Sequence, residues 1–159
     1  MRRLFISAAA AAALALSGGA FAMGGGNDSS APAKKVDPNY ARAKAMIDSA
    51  DYKGGAQLLL QVVEKDPRNA DAYNLLGFAT RKSGDANGSI QYYNQALSID
   101  PKHLGAHEYI GEAYLVLGRM QDAEQELARL DSLCVFGCAE QKTLKAAIAS
   151  YKAGKKPTN

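Results

Sequence analysis

Chemistry-bearing side chains are scarce in this chain. Its 159 residues hold two cysteines, Cys134 and Cys138, and two histidines, His103 and His107. No phosphate-cradling glycine loop stands before a helix, and the H-E-x-x-H, G-x-S-x-G and C-x-x-C-H patterns are missing. These absences argue against a nucleotide site, a zinc protease, a hydrolase elbow and a covalent haem. Paired carboxylates such as Glu124 and Glu126 fall on a helix surface, where solvation accounts for them. No enzyme activity and no cofactor are expected. Long basic runs are also lacking, and a formal charge of +3 gives no electrostatic footprint for nucleic acid. The longest apolar run, Leu4 to Leu16, is short of the ~20 residues a membrane span needs, and Gly18-Gly19 ends it.

That run has another use. Arg2-Arg3 precedes it and Ala20-Phe21-Ala22 follows, the order of a Sec-type bacterial signal peptide over 1–22 with cleavage before Met23. No cysteine lies near the cleavage point to make a lipoprotein. The expectation is a periplasmic or secreted protein with no stable membrane insertion after cleavage. Losing Arg2 and Arg3 lowers the formal charge from +3 to +1. Residues 23–36, rich in Gly, Ser, Pro and Lys, bury too little apolar surface to offset ordering entropy and read as a flexible linker.

The rest of the chain repeats itself. In the stretch from Ala70 to Pro101, Gly84-Asp85 breaks two apolar-periodic segments and Asp100-Pro101 closes the second. A shift of 34 residues matches Asp51 with Asp85, Pro67 with Pro101, Gly77 with Gly111 and Gly84 with Gly118. Period and residue order, carried by Tyr73, Leu76, Gly77, Gly84, Asp85, Tyr93, Ala96 and Pro101, resemble the tetratricopeptide repeat (TPR) family, whose unit is a helix-turn-helix. The resemblance implies an all-α fold, a right-handed α-α superhelix of about three repeats plus a C-terminal capping helix.

On this reading the TPR domain covers 37–152, with repeats at about 36–69, 70–103 and 104–137, a cap at 139–152 and a disordered tail at 153–159. Asp51 caps the second helix, whose Leu58, Leu59, Val62 and Val63 make one apolar stripe. Gly54-Gly55 weakens that helix and implies a close approach of the paired helices. Gly84 supplies a left-handed residue after the third helix. Arg42 stands where the family has leucine, which costs little at the open end of a solenoid. Leu144, Ala147, Ile148 and Tyr151 give the cap its apolar face.

In an exported chain, cysteines four residues apart are expected to pair as a structural disulfide, and Val135-Phe136-Gly137 permits the turn. A redox pair lacks the C-x-x-C spacing. The alternative function is a metal- or thiol-carrying accessory protein that joins Cys134 and Cys138 to His103 and His107, because i, i+4 histidines can share a helix face.

Family geometry implies a concave groove lined by the first helix of each repeat, here Tyr40, Lys44, Asn74, Phe78, Arg81, Glu108, Glu112 and Leu115. Such a floor suits an extended peptide or a partner helix. The implied role is a non-catalytic interaction module or scaffold for another exported or envelope protein, with weak self-association through the first repeat as a further possibility. The carboxylate clamp of chaperone-binding members is not reproduced: its positions hold Tyr40, Lys44, Leu75, Gly105 and Tyr109.

Overall fold

The computed structural model describes residues 37–155 and Pro157. The expected leader at 1–22 and linker at 23–36 lie outside these residues. Within them are α1 (Pro38–Asp48), α2 (Tyr52–Lys65), α3 (Ala70–Lys82), α4 (Ala86–Ile99), α5 (Leu104–Val116), α6 (Met120–Leu133) and α7 (Ala139–Lys152), with no strand among them. Helices α1–α2, α3–α4 and α5–α6 pack as hairpins, each stacks on the next, and α7 lies against α5 and α6.

Local signals start and stop these helices at repeating positions. Asp51 and Asp85 accept a hydrogen bond from the backbone N–H three residues on, at 3.0 and 2.7 Å. Asn69 and His103 do the same for α3 and α5. Each of these acceptors satisfies a helix N–H that has no partner within the helix. At the far end of α1, α3, α5 and α7, one residue turns left-handed: Ala50, Gly84, Gly118 and Gly154. The next N–H then reaches back five residues, as from Asp51 to the Met46 carbonyl at 2.8 Å and from Lys155 to that of Ser150 at 3.1 Å. Ala153–Lys155, expected to begin a disordered tail, instead close α7.

Volumes are exchanged across each hairpin. Ala43, Gly77 and Gly111 are equivalent positions on α1, α3 and α5, and 16 residues later stand Leu59, Tyr93 and Leu127. A Cβ at Gly77 would lie 2.6 Å from the Tyr93 ring, so the glycine is the space that ring occupies. At Gly111 the close neighbour is Leu144 of α7, 2.6 Å from where a Cβ would stand. Close packing demands this complementarity, because a void or an overlap of one methyl group is destabilising. Gly55 allows the approach inferred for the first pair, with Ile47 2.7 Å from a notional Cβ.

A second register ties the hairpins together. Arg42, Leu76, Ile110 and Leu144 are successive 34-residue equivalents; the last three are buried, while Arg42 at the open end is exposed. Helix α7 therefore stands where a fourth repeat would place its first helix. The cores follow the same plan: one cluster spans α1 to α3, a second joins Tyr93 to Ile110 and Ala113, and a third holds Leu115, Ala123 and Leu130 against Leu144 and Ile148.

The α6–α7 junction breaks the pattern. Cys134 occupies the place of Asp66 and Asp100, and Val135 that of Pro67 and Pro101. Cys134 and Cys138 are paired there with Cα atoms 5.7 Å apart, a separation a disulfide accepts. Pairing across the turn takes over the stop that proline supplies in the first two repeats.

Ala50 carries φ 65° where its equivalents are glycine. An L-residue pays a steric penalty there of about 1 kcal/mol, partly offset by alanine's smaller unfolded-state entropy. Ala50→Gly is thus expected to leave stability unchanged or raise it by up to ~0.5 kcal/mol, whereas Gly84→Ala lowers it by about 1 kcal/mol. Urea midpoints of the two variants should move in opposite directions from the parent, or only the second should move.

Candidate partner-binding groove

The first helices α1, α3 and α5 lie side by side, and α7 continues the row beside α5. The residues inferred from family geometry fall along this row, at different depths. Lys44 is exposed and pairs with Asp48 one turn on, at 3.1 Å. Tyr40, Phe78, Glu108 and Glu112 are half-buried. Asn74, Arg81 and Leu115 are buried, the last two only 2% and 1% exposed, so a partner meets them from above at most.

Arg81 organises the centre of the row. One of its terminal nitrogens donates to Glu112 Oε2 at 2.6 Å, linking α3 to α5. Its guanidinium lies 5.6 Å from the Phe78 ring centroid, while its Nε makes no hydrogen bond within the protein. Removing Arg81 would leave the half-buried Glu112 without its partner and a gap between α3 and α5, which destabilises the fold. Arg81→Ala therefore confounds binding with folding.

Around Phe78 the structure adds residues that sequence reasoning omitted. Tyr109 on α5 packs at 5.0 Å between ring centroids and Tyr52 on α2 meets it edge-on at 6.2 Å. Lys82 places its ammonium 5.9 Å from the same ring. Farther along, a cleft of about 350 Å³ opens between Arg81 and Lys82 on α3, Glu112 and Leu115 on α5, and Ala147 and Ser150 on α7. Lys155 and Pro157 reach its edge. The cap thus forms one wall of this cleft.

Three carboxylates share this region with the single buried guanidinium. Glu108 is pushed up to about 7, first by burial, then by Glu112 on its own helix and Glu140 on α7, with Arg81 opposing. Burial also raises the Tyr109 phenol, reinforced by Glu108 and Glu112.

The histidines and cysteines do not assemble as the carrier alternative required. His103 Nδ1 accepts from the Ala106 N–H, so its Nε2 carries the proton and donates to Asp71 at 3.1 Å. His107 faces acceptors on both sides, Glu126 Oε2 at 2.6 Å and the Pro101 carbonyl at 3.1 Å, an arrangement that favours a proton on each ring nitrogen and so the cationic form. Burial opposes that charge, but the Glu126 and Pro101 bonds prevail and raise its pKa. The two cysteines are paired with each other. Among the described residues no group of three or more His, Cys, Asp or Glu side chains is placed to hold a metal.

These features define a helical-repeat solenoid with a mixed aromatic and charged face along its first helices. Profiles described as tetratricopeptide repeat match residues 40–103 and 80–148. A TPR repeat-containing protein of Pseudomonas aeruginosa is 34% identical over 74 residues, 45% of this chain and 70% of that protein. The chain belongs to the TPR family. Protein FlbA of Caulobacter vibrioides is 36% identical over 72 residues, 44% of this chain and 12% of FlbA. Protein O-mannosyl-transferase Tmtc3 of Drosophila melanogaster is 30% identical over 83 residues, 52% of this chain but only 9% of that protein. With those two, the chain shares a repeat segment and not a whole protein.

Solved structures share the fold. The Yersinia enterocolitica type III secretion translocator chaperone SycD superposes with a TM-score of 0.64 at 20% identity, covering 73% of this chain and 87% of that one. The first TPR of Spaghetti (RPAP3), bound to the HSP90 peptide SRMEEVD, gives 0.64 at 15%, covering 72% and 90%. PcrH in complex with the chaperone binding region of PopD gives 0.63 at 18%, covering 72% and 86%. TPR repeats are in general non-catalytic interaction modules. Among the described residues, no helix is long and apolar enough to cross a membrane.

The carboxylate cluster gives this region a pH signature. An acid whose folded pKa is raised stabilises the fold while protonated, so Glu108 contributes stability that is lost as pH rises from its ordinary 4.5 through about 7. His107, also raised, adds a decline that begins above 6.5. Between pH 5 and 7.5 the denaturant midpoint should fall, and Glu108→Gln should flatten the part below pH 6.5 while leaving the His107 part. An unchanged slope in Glu108→Gln would remove Glu108 from this account.

Proposed function

We propose that the chain is a non-catalytic interaction module that holds an extended peptide or a partner helix along the face of α1, α3 and α5. The observation that carries this is Phe78, half-exposed between Tyr52 and Tyr109 beside a cleft of about 350 Å³ walled by α3, α5 and α7. Aromatic rings offer a partner large contact area at little entropic cost, and the charges around them set its register. Lys82 lies by the Phe78 ring on α3, and Glu108 stands on α5. A peptide of mixed charge with an apolar anchor fits that arrangement. The peptide-bound Spaghetti repeat and the PcrH–PopD complex, which share the fold, support the reading.

The leader-like residues 1–22 support an exported chain, whose partner would be another exported or envelope protein. Export also gives the Cys134–Cys138 pair its role: a disulfide that fixes the angle at which α7 docks and so the width of the cleft.

Phe78 is the cleaner groove probe, since it is only half-buried. In a displayed library of extended peptides, sequences that bind the parent chain should bind Phe78→Ser about tenfold more weakly, the scale of an interface anchor. Gln91→Ser, exposed on α4, should have no effect. Equal losses in both variants would move the binding surface away from the groove.

The cysteine pairing has its own readout. Denatured protein isolated from its native compartment should take up two alkyl groups only after reduction. Closing so short a loop constrains few unfolded states, so Cys134→Ser with Cys138→Ser should cost about 1–2 kcal/mol. Two thiols reactive without reductant would refute the bridge.

A further inference from the structure

The loop between Cys134 and Cys138 turns apolar surface outwards. Phe136 is fully exposed and Val135 is 78% exposed, the two most exposed large hydrophobic residues among those described. The tip is held in place: Cys134 at its root is buried, the Gly137 N–H donates to the Cys134 carbonyl at 2.8 Å, and the cysteine pair closes the ring. Gly137 at φ 82° makes the turn. Only three residues separate the cysteines, so the Phe136 ring has no route back to the core.

Beside the tip runs a face of one chemistry. Lys142, Lys145, Ala146, Ala149 and Lys152 are all exposed, and their spacing of three and four puts them on one stripe of α7. Lys152 binds Glu124 at 2.6 Å, whereas Lys142 and Lys145 form no ion pair among the described residues. The one acid of α7, Glu140, is half-buried and acts on Glu108 in the groove. Asp131 on α6 accepts from Gln141. The Lys142 stem passes 3.9 Å from a notional Cβ on Gly137, so cation and aromatic tip are adjacent.

We propose that this tip and the adjacent lysines form a peripheral docking surface for an anionic lipid bilayer, separate from the groove. A convex tip needs a fitted pocket on a protein partner, but none in a lipid interface. Lysine is depleted in protein–protein interfaces. Lysines flanking a projecting aromatic are what a surface-bound, non-spanning element presents to lipid headgroups. Each lysine held near an anionic leaflet strengthens binding about fivefold. Phe136 enters the boundary of headgroups and acyl chains, and Lys142 and Lys145 rest on the phosphates.

The chain has no tryptophan, so Phe136→Trp in the full chain gives one local reporter that binding elsewhere in the molecule does not affect. With vesicles of phosphatidylglycerol and phosphatidylcholine, its emission should shift to the blue and be quenched by lipids brominated near the headgroup end of the tail. Phosphatidylcholine alone should give neither change. Lys142→Glu with Lys145→Glu, added to the reporter, should raise the lipid concentration needed at least about tenfold, with unchanged helical circular dichroism. The proposal is overturned if the emission stays that of a solvent-exposed indole, if neutral vesicles act equally, or if charge reversal has no effect. A shift produced by a soluble acidic protein and not by anionic vesicles would also overturn it, assigning the tip to a protein partner.

Discussion

How closely two helices can cross is set by the side chain at the crossing, and in this chain that side chain is a methyl group or a hydrogen. Ala43, Gly77 and Gly111 hold the crossings of three hairpins, and what lies over each one differs in size in a compensating way. The first glycine goes with the Tyr93 ring of its own hairpin, the second with Leu144 of the cap. The bare Gly111 lets α7 dock, because Leu144 stands where a side chain there would project. The cap is thus built into the packing of the last repeat.

The groove inherits its character from the same stacking. Because α3, α5 and α7 are parallel neighbours, side chains one helix apart meet, and Arg81 reaches Glu112 while Glu140 comes near Glu108. The floor is therefore structural in part. Arg81 and Leu115 are buried and hold helices together, while Phe78 and Glu108 keep exposed surface. Residues along the row differ in depth, and depth separates those that support the fold from those a partner could meet.

Sequence periodicity carried most of the architecture, because punctuation residues act locally. An aspartate that caps and a glycine that turns left-handed need no distant partner to do so, and their 34-residue recurrence is visible in one dimension. The left-handed Ala50 went unread, because alanine carries no turn signal of its own, although it aligns with Gly84 and Gly118. Depth was harder to read. Nothing in the letters Asn74, Arg81 and Leu115 says that α5 and α7 close over them. Nor does the sequence place Tyr52, from a second helix, beside Phe78. The histidine spacing suggested a shared ligand face, yet each ring is occupied by its own acceptors, Asp71 for one and Glu126 with Pro101 for the other. Short spacing fixes which groups can meet, and the packing of other helices decides which do.

The register that runs through Arg42, Leu76, Ile110 and Leu144 has a consequence for how copies of the molecule behave together. Stacked helical pairs form a one-dimensional lattice, and a lattice with sticky ends grows into fibres by head-to-tail contact. Here one terminus shows Arg42 in place of leucine, and the other shows the lysine stripe of α7. Fibre growth would press one cationic end against another and bury both. Buried without a counter-charge, Arg42 and the lysines would make such end-to-end contact costly.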